Sequence, residues 1–150
     1  MITIGQGIDY HKIIEKKNNQ IKLGGYSFNS NYTIVAHSDG DLVLHSISNA
    51  ILGALCCGDI GEYFKDTDIK NKNIDSKKIL DFCLEKLNGR KIVNIDLTII
   101  CEKIILKDIK NHIKESLKVL TKCENINVKA TRFEQPDCMM IGCHSVILVD

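Results

Sequence analysis

Between Val93 and Ile99 the chain alternates without a slip, with Val93, Ile95, Leu97 and Ile99 separated by Asn94, Asp96 and Thr98. A period of two places every apolar side chain of such a run on one face of a strand, and that face must then be covered. Ile126, Val128 and Ala130 repeat the pattern, Cys143 to Val149 gives a last strand, and Ile2 to Tyr10 alternates more loosely as a first. Segments with the other period supply the cover. From Asp41 onward Leu44, Ile47, Ile51 and Leu55 recur at helical spacing, with the stop near Gly58. Asp75-Ser76 caps a second helix carrying Ile79, Phe82, Cys83 and Leu87, which Asn88-Gly89 ends. Lys107 to Lys122 is a third, amphipathic through Ile109, Ile113, Leu117 and Leu120. Ile21 to Phe28, with Gly24-Gly25 inside, reads as a short strand or hairpin, and GDIGEYFKDTD (58–68) as a loop. One-faced strands and one-striped helices satisfy each other in an α+β fold. A single domain over residues 1–150 is expected, a mixed β-sheet with helices packed on one face.

Composition narrows the partners. Twenty basic residues against nineteen acidic ones leave a net charge of +1, so no basic footprint for nucleic acid is present. No apolar run approaches the roughly 20 residues that cross a bilayer, and the start MITIGQGIDYH lacks a signal-peptide pattern. A cytoplasmic protein without a membrane partner is expected, and a processed organellar form would read the same. The seven cysteines contain no C-x-x-C pair, and an odd count in a chain read as non-secreted fits reduced thiols.

Two short stretches concentrate the polar chemistry. Asp9 and His11 form D-x-H at the end of the first expected strand, and residues two apart on a strand face the same way. Taken alone, such a pair is most often ordinary strand-end polarity. HSDGDLVLH (37–45) then crowds two histidines and two aspartates onto the mouth of the first helix. His45 lies about one turn in, where side chains tilt back toward the amino terminus; Gly40 permits a tight turn and Asp41 suits a helix cap. Its bland reading is a polar cap followed by a half-buried histidine. If strand end and helix mouth meet, however, Asp9, His11 and His45 offer three ligands and one open position, the arrangement of catalytic Zn²⁺. The free N–H groups of the helix would favour a phosphate beside it.

IGQGIDYH, AHSDGDLVLH, GDIGEYFKDTD, DLTII and NVKAT occur in the order and spacing of one family. From Ile2 to about Val149 the chain resembles the 2-C-methyl-D-erythritol 2,4-cyclodiphosphate synthases of the non-mevalonate isoprenoid pathway. The resemblance implies a phosphorus-oxygen lyase that cyclises 4-diphosphocytidyl-2-C-methyl-D-erythritol 2-phosphate and releases CMP. It implies a homotrimer with the sheets facing its centre and active sites between subunits. It assigns Zn²⁺ to Asp9, His11 and His45, and a second ion, Mg²⁺ or Mn²⁺, to Glu134. His37 and Ser38 map onto residues that hold the substrate and support the transition state, whereas Asp39 and Asp41 shape the turn. Asp59, Gly61 and Phe64, Lys65, Asp66, Thr67 and Asp68 map onto the methylerythritol side; Phe64 reads equally well as core. Cys101, Glu102, Lys103, Ile104, Ile105 and Leu106 map onto the loop that cradles cytidine, with Thr131 and Arg132 nearby.

The chain also departs from that family. CEKIILKDI is one residue shorter than the family loop and lacks its Pro-Lys pair, leaving Lys103 or Lys107 to supply the charge. Arg132 and Phe133 replace threonines, and Arg132 takes the position of the threonine that supports the transition state in the family, which makes it a candidate catalytic residue. The glycine-rich stretch that follows is cut to QPDCMMIGCH, and Asn49 stands where an aspartate near the cytidine end is common. These changes spare the metal half and fall on the nucleotide half and the trimer's central cavity. Two rivals follow: a zinc-binding trimeric scaffold without turnover, and a metal-dependent phosphohydrolase, for which no water-activating base stands out.

Overall fold

The computed structural model describes residues 1–150. Its first strand is much longer than the alternation suggests. β1 runs from Thr3 to Leu23, turns at Gly24-Gly25, and returns as β2, Tyr26–Ile34. The break expected at Tyr10 is corrected to one continuous strand, and the short strand or hairpin expected at Ile21–Phe28 is the turn end of a longer hairpin. The physical reason is an exchange of neighbours along β1. Thr3 to Lys12 pairs with β5, Met140–Val149, and Ile13 to Leu23 pairs with β2, both antiparallel. Asp9 and His11 therefore lie inside a strand, beside the point where its partner changes.

β3, Ile92–Cys101, pairs antiparallel with β5 and parallel with β4, Ile126–Thr131, giving the order β2-β1-β5-β3-β4. A parallel pair needs a crossover, and the helix before β4 supplies it, at Lys110–Thr121 rather than from Lys107. The helix after β2, α1, spans Leu42–Ala54. Four residues inside the expected loop form a short helix, α2, Ile60–Tyr63, capped by the Asp59 carboxylate. α3, Ser76–Glu85, follows with Asp75 as its cap, and the crossover helix is α4.

The helices cover one face of the sheet, over a continuous core that includes Ile13, Leu44, Ile47, Ile51, Leu97, Ile113 and Ile147. Contact between α1 and β1 is unusually close because the strand offers no side chains there. A Cβ on Gly7 would lie 1.8 Å from the Ser46 carbonyl oxygen, and one on Gly5 would lie 1.8 Å from that of Ala50. The Ser46 hydroxyl donates to the Gly7 carbonyl at 2.9 Å and sits 2.7 Å from the Ser145 hydroxyl. Gly5, Gly7, Asp9 and His11 alternate onto the same face. A helix pressed onto the glycines thus reaches the carboxylate and imidazole next in line. The opposite face is uncovered in this chain, with Ile4 68% and Ile8 44% exposed.

All seven cysteines are free thiols. Burial pushes Cys83 up to about 11 and Cys143 up to about 12, so both behave as small apolar side chains. No helix is long and apolar enough to cross a membrane.

Candidate active site

The linker 35–41 leaves β2 beside β1 and turns into α1, and this brings the two polar stretches together. Asp9 Oδ2 lies 3.0 Å from His11 Nε2 and 3.5 Å from His45 Nδ1. His11 Nδ1 is 3.1 Å from the Val35 carbonyl oxygen; donating there leaves Nε2 free of a proton when the ring is neutral. The hydrogen bond to Asp9 holds His11 above the ordinary imidazole value, against burial that pulls it down. Burial pulls His45 below that value, against the Asp9 charge. The buried Nε2 of His45 has no hydrogen-bond partner. One carboxylate and two imidazoles form a donor set that suits Zn²⁺. As placed, these donors bond to one another, and no three such side chains are spread around a point where a cation would sit.

The aspartates between the histidines face inward. Asp41 caps α1 through Leu44 N at 3.1 Å and accepts from Gly24 N at 2.8 Å and Gly25 N at 2.7 Å. It thereby ties the β1–β2 turn to the helix mouth. Burial pushes Asp41 up to about 7, although these amides pull the other way. Asp39 accepts from the Ser76 hydroxyl and amide, the Asp41 amide and the Lys22 ammonium. Burial would raise Asp39; the hydrogen bonds outweigh it and hold the carboxyl below its usual range. Both aspartates are thus committed to shaping the turn.

A cleft of about 220 Å³ opens over the three donors. His37, Ser38, Gly61, Phe64 and Asp66 line it, as do Asn49, Asn71 and Ile74, which were not among the expected site residues. Phe64 serves both readings: it is half-buried, meets Phe82 edge-on at 5.2 Å, and lines the cleft. The structure corrects the placing of Asn49 on the nucleotide half: it lies four residues after His45, one turn along the same helix face, and lines the cleft over the three donors. Its Oδ1 accepts from Ile60 N at 3.0 Å, fastening α2 to α1. The 59–74 segment is tied down at its far end, where Asn73 N donates to the His37 carbonyl at 2.8 Å. Asp59, Lys65, Thr67 and Asp68 do not line the cleft. Asp59 caps α2, Asp68 caps the 3-10 turn Ile69–Asn71, and the Lys65 carbonyl accepts from the Asn71 side chain.

A second groove, also about 220 Å³, lies between the β3–α4 connection and the end of β4. Cys101, Glu102, Ile104, Ile105 and Leu106 form one side, with Thr131 and Arg132 on the other. The cations on its wall are Lys107, Lys110 and Arg132; Lys103 is absent from it. Lys110 escaped the sequence reading, although a lysine three residues after Lys107, at the start of a helix, is a visible signal. The two cavities share no residue. Glu134 is exposed, holds a left-handed backbone at φ 56°, and lines neither.

A five-stranded sheet with a carboxylate–diimidazole cleft at the mouth of α1 defines the class. The YgbB family model matches residues 2–150, and the chain belongs to that family. Its relatives make the enzyme specific. A 2-C-methyl-D-erythritol 2,4-cyclodiphosphate synthase of Mycoplasmoides gallisepticum is 46% identical over 151 residues, covering 99% of this chain and 97% of the relative. The bifunctional IspDF of Campylobacter jejuni superposes with a TM-score of 0.90 at 33% identity, over 99% of this chain and 42% of that one. A 2C-methyl-D-erythritol-2,4-cyclodiphosphate synthase in its CDP-bound form superposes with a TM-score of 0.88 at 28% identity, over 98% of this chain and 99% of that one. The chain is thus a member of an enzyme family of cyclodiphosphate synthases, and the scaffold without turnover finds no support among these relatives.

Proposed function

We propose that this chain converts 4-diphosphocytidyl-2-C-methyl-D-erythritol 2-phosphate to 2-C-methyl-D-erythritol 2,4-cyclodiphosphate and CMP, in isoprenoid biosynthesis by the non-mevalonate route. The observation that carries this reading is the meeting of Asp9, His11 and His45 at one carboxylate oxygen under a cleft. In the reaction an oxygen of the 2-phosphate attacks the β-phosphorus, the bond from that phosphorus to the α-phosphate oxygen breaks, and CMP leaves. The nucleophile is already ionised at neutral pH, so the protein need not supply a strong base. It must instead bring two anions together and keep water out.

Asp9, His11 and His45 would hold Zn²⁺, and Glu134 would hold a Mg²⁺ or Mn²⁺ ion. Bound divalent cations supply Lewis-acid polarisation and charge neutralisation to phosphoryl groups. The chain's own residues divide the rest. The Val35 carbonyl fixes the His11 ring, and burial favours a neutral His45. His37 and Ser38, at the cleft wall, hold the phosphate end of the substrate. Gly61, Phe64 and Asp66 close over the methylerythritol with the 59–74 segment, which shields the reacting phosphates from water. Cys101 to Leu106, with Thr131 and Arg132, take the cytidine nucleotide; Lys107 and Lys110 stand where the missing family lysine would be needed.

A substrate spanning both halves needs the two cavities of different chains to meet, because within one chain they are separate. That supports a homotrimer whose uncovered sheet faces, bearing Ile4, Ile8, Tyr10 and Val146, turn toward one another. The test is CMP release from the diphosphocytidyl substrate by purified protein, with mass measured in solution. Release that chelation abolishes and metal restores, from a trimer, is the expected result. A monomer, or no CMP with zinc and magnesium present, would overturn the reading.

A further inference from the structure

α2 is four residues long, far below the roughly 12 at which an isolated helix becomes even marginal, so its neighbours must hold it. Each end is gripped from a different side. At the amino end Asn49 Oδ1, on α1, accepts from Ile60 N at 3.0 Å, and Asp59 Oδ1 accepts from Glu62 N at 3.3 Å. At the carboxyl end Tyr63 and Phe64 meet the Phe82 ring of α3, with ring centres 5.0 and 5.2 Å away. The Lys86 ammonium lies 4.5 Å over the Tyr63 ring, and the Tyr63 hydroxyl donates to the Cys57 carbonyl at 2.8 Å. The Asn49 bond is made at the cleft itself, since Asn49, Ile60, Gly61 and Phe64 all line it. A peptide N–H only donates, so the Asn49 amide must turn its oxygen toward Ile60. The tie is also neutral, in a cleft lined by Asp9 and Asp66 and by no lysine or arginine.

We infer that Asn49 is a positioning residue for the reaction: by accepting from Ile60 N it sets α2, and with it the Gly61 backbone and the Phe64 ring, against the cleft before substrate arrives. The inference rests on the proposal that this cleft takes the methylerythritol side of the substrate. Asn49 acts through α2 and not on the reacting phosphates. Without the tie, the substrate has to order α2 as it binds, a cost that falls equally on the bound substrate and on the transition state. Its kinetic signature is a raised KM with kcat little changed. A carboxylate at position 49 would keep the acceptor but add a third negative charge to a cleft that receives phosphates.

Amide hydrogen exchange by NMR on the intact, metal-loaded protein, alongside the kinetics of CMP release, tests this. Protection along α1 reports that each variant is folded. Asn49→Leu, close in volume, removes the acceptor; exchange from Ile60 to Phe64 should quicken roughly tenfold, and KM should rise by a similar factor. Asn49→Asp keeps the acceptor and should hold that exchange within about twofold of wild type, a readout that separates the tie from the added charge. Wild-type exchange in Asn49→Leu, or quickened exchange in Asn49→Asp, would overturn the role of the tie. A fall in kcat with KM kept in Asn49→Leu would place Asn49 at the reacting atoms and overturn the positioning role. Wild type that releases no CMP would overturn the reaction reading instead, while the exchange comparison still decides whether Asn49 sets α2.

Discussion

The cleft over Asp9 and the groove beside Glu102 are built on opposite plans. The first is assembled from three consecutive elements and fixed by backbone contact: α1 lies on Gly5 and Gly7, and Asp41 binds the Gly24 and Gly25 amides. Its polar groups are nearly all spoken for. The groove has an exposed lip at Ile105, three cations on its wall and a carboxylate oxygen without a hydrogen-bond partner. The cleft is preorganised by the fold; the groove leaves its charged groups open to a ligand. Preorganisation matters most where charge develops in the reaction, and the fold spends its rigidity there.

Substitutions should separate the two plans. The largest effect on stability is expected from Gly7→Ala, since the added methyl meets the α1 backbone rather than a side chain that can yield. Loss of about 3 kcal/mol or more in denaturant unfolding is expected. Ile105→Ala, at the exposed lip, should change stability by less than about 0.5 kcal/mol. Equal effects would erase the contrast. Next in size, Arg132→Ala should raise KM roughly tenfold, the loss of one charge-assisted phosphate contact. A matching fall in kcat with KM unchanged would instead make Arg132 a transition-state residue.

The smallest effect concerns Asp39. Its folded value lies below the ordinary carboxylate value of 3.8, so the stability it contributes is present above that value and disappears as pH falls through the folded one. Thermal unfolding of metal-free protein between pH 7 and pH 2 should therefore show a smaller acid-induced drop for Asp39→Asn than for wild type. The variant starts from a lower midpoint, and its curve converges on wild type in strong acid. Parallel curves would mean that Asp39 does not tie the turn to α3 through its charge.

Much of the cleft was legible in the chain because its signals are local. D-x-H on a strand and a capped helix with His45 one turn in both follow from spacing, and Asp41 caps α1 as its residue type suggests. What spacing could not reveal is where they meet. Neither the exchange of partners at Lys12 nor the pressing of α1 onto bare glycines leaves a periodic trace, so β1 was cut short at Tyr10. α2 was missed because four residues are too few to establish a period, although Asp59 followed three residues later by Glu62 is a capping signal. In the groove, the lost proline and the shortened loop removed the landmarks. Lys107 and Lys110 emerge as its lysines, and Lys103 does not, only once α4 is in place.

The proposed activity depends on Asp9, His11 and His45 gripping a single cation. Zinc content and CMP release measured on the same preparations of wild type and Asp9→Ala test this most directly, with circular dichroism to show that the fold persists. Stoichiometric zinc in wild type is expected, with both zinc and turnover lost in the variant, turnover by roughly a thousandfold or more. A folded Asp9→Ala protein that keeps its full zinc, or that still releases CMP at the wild-type rate, would contradict it.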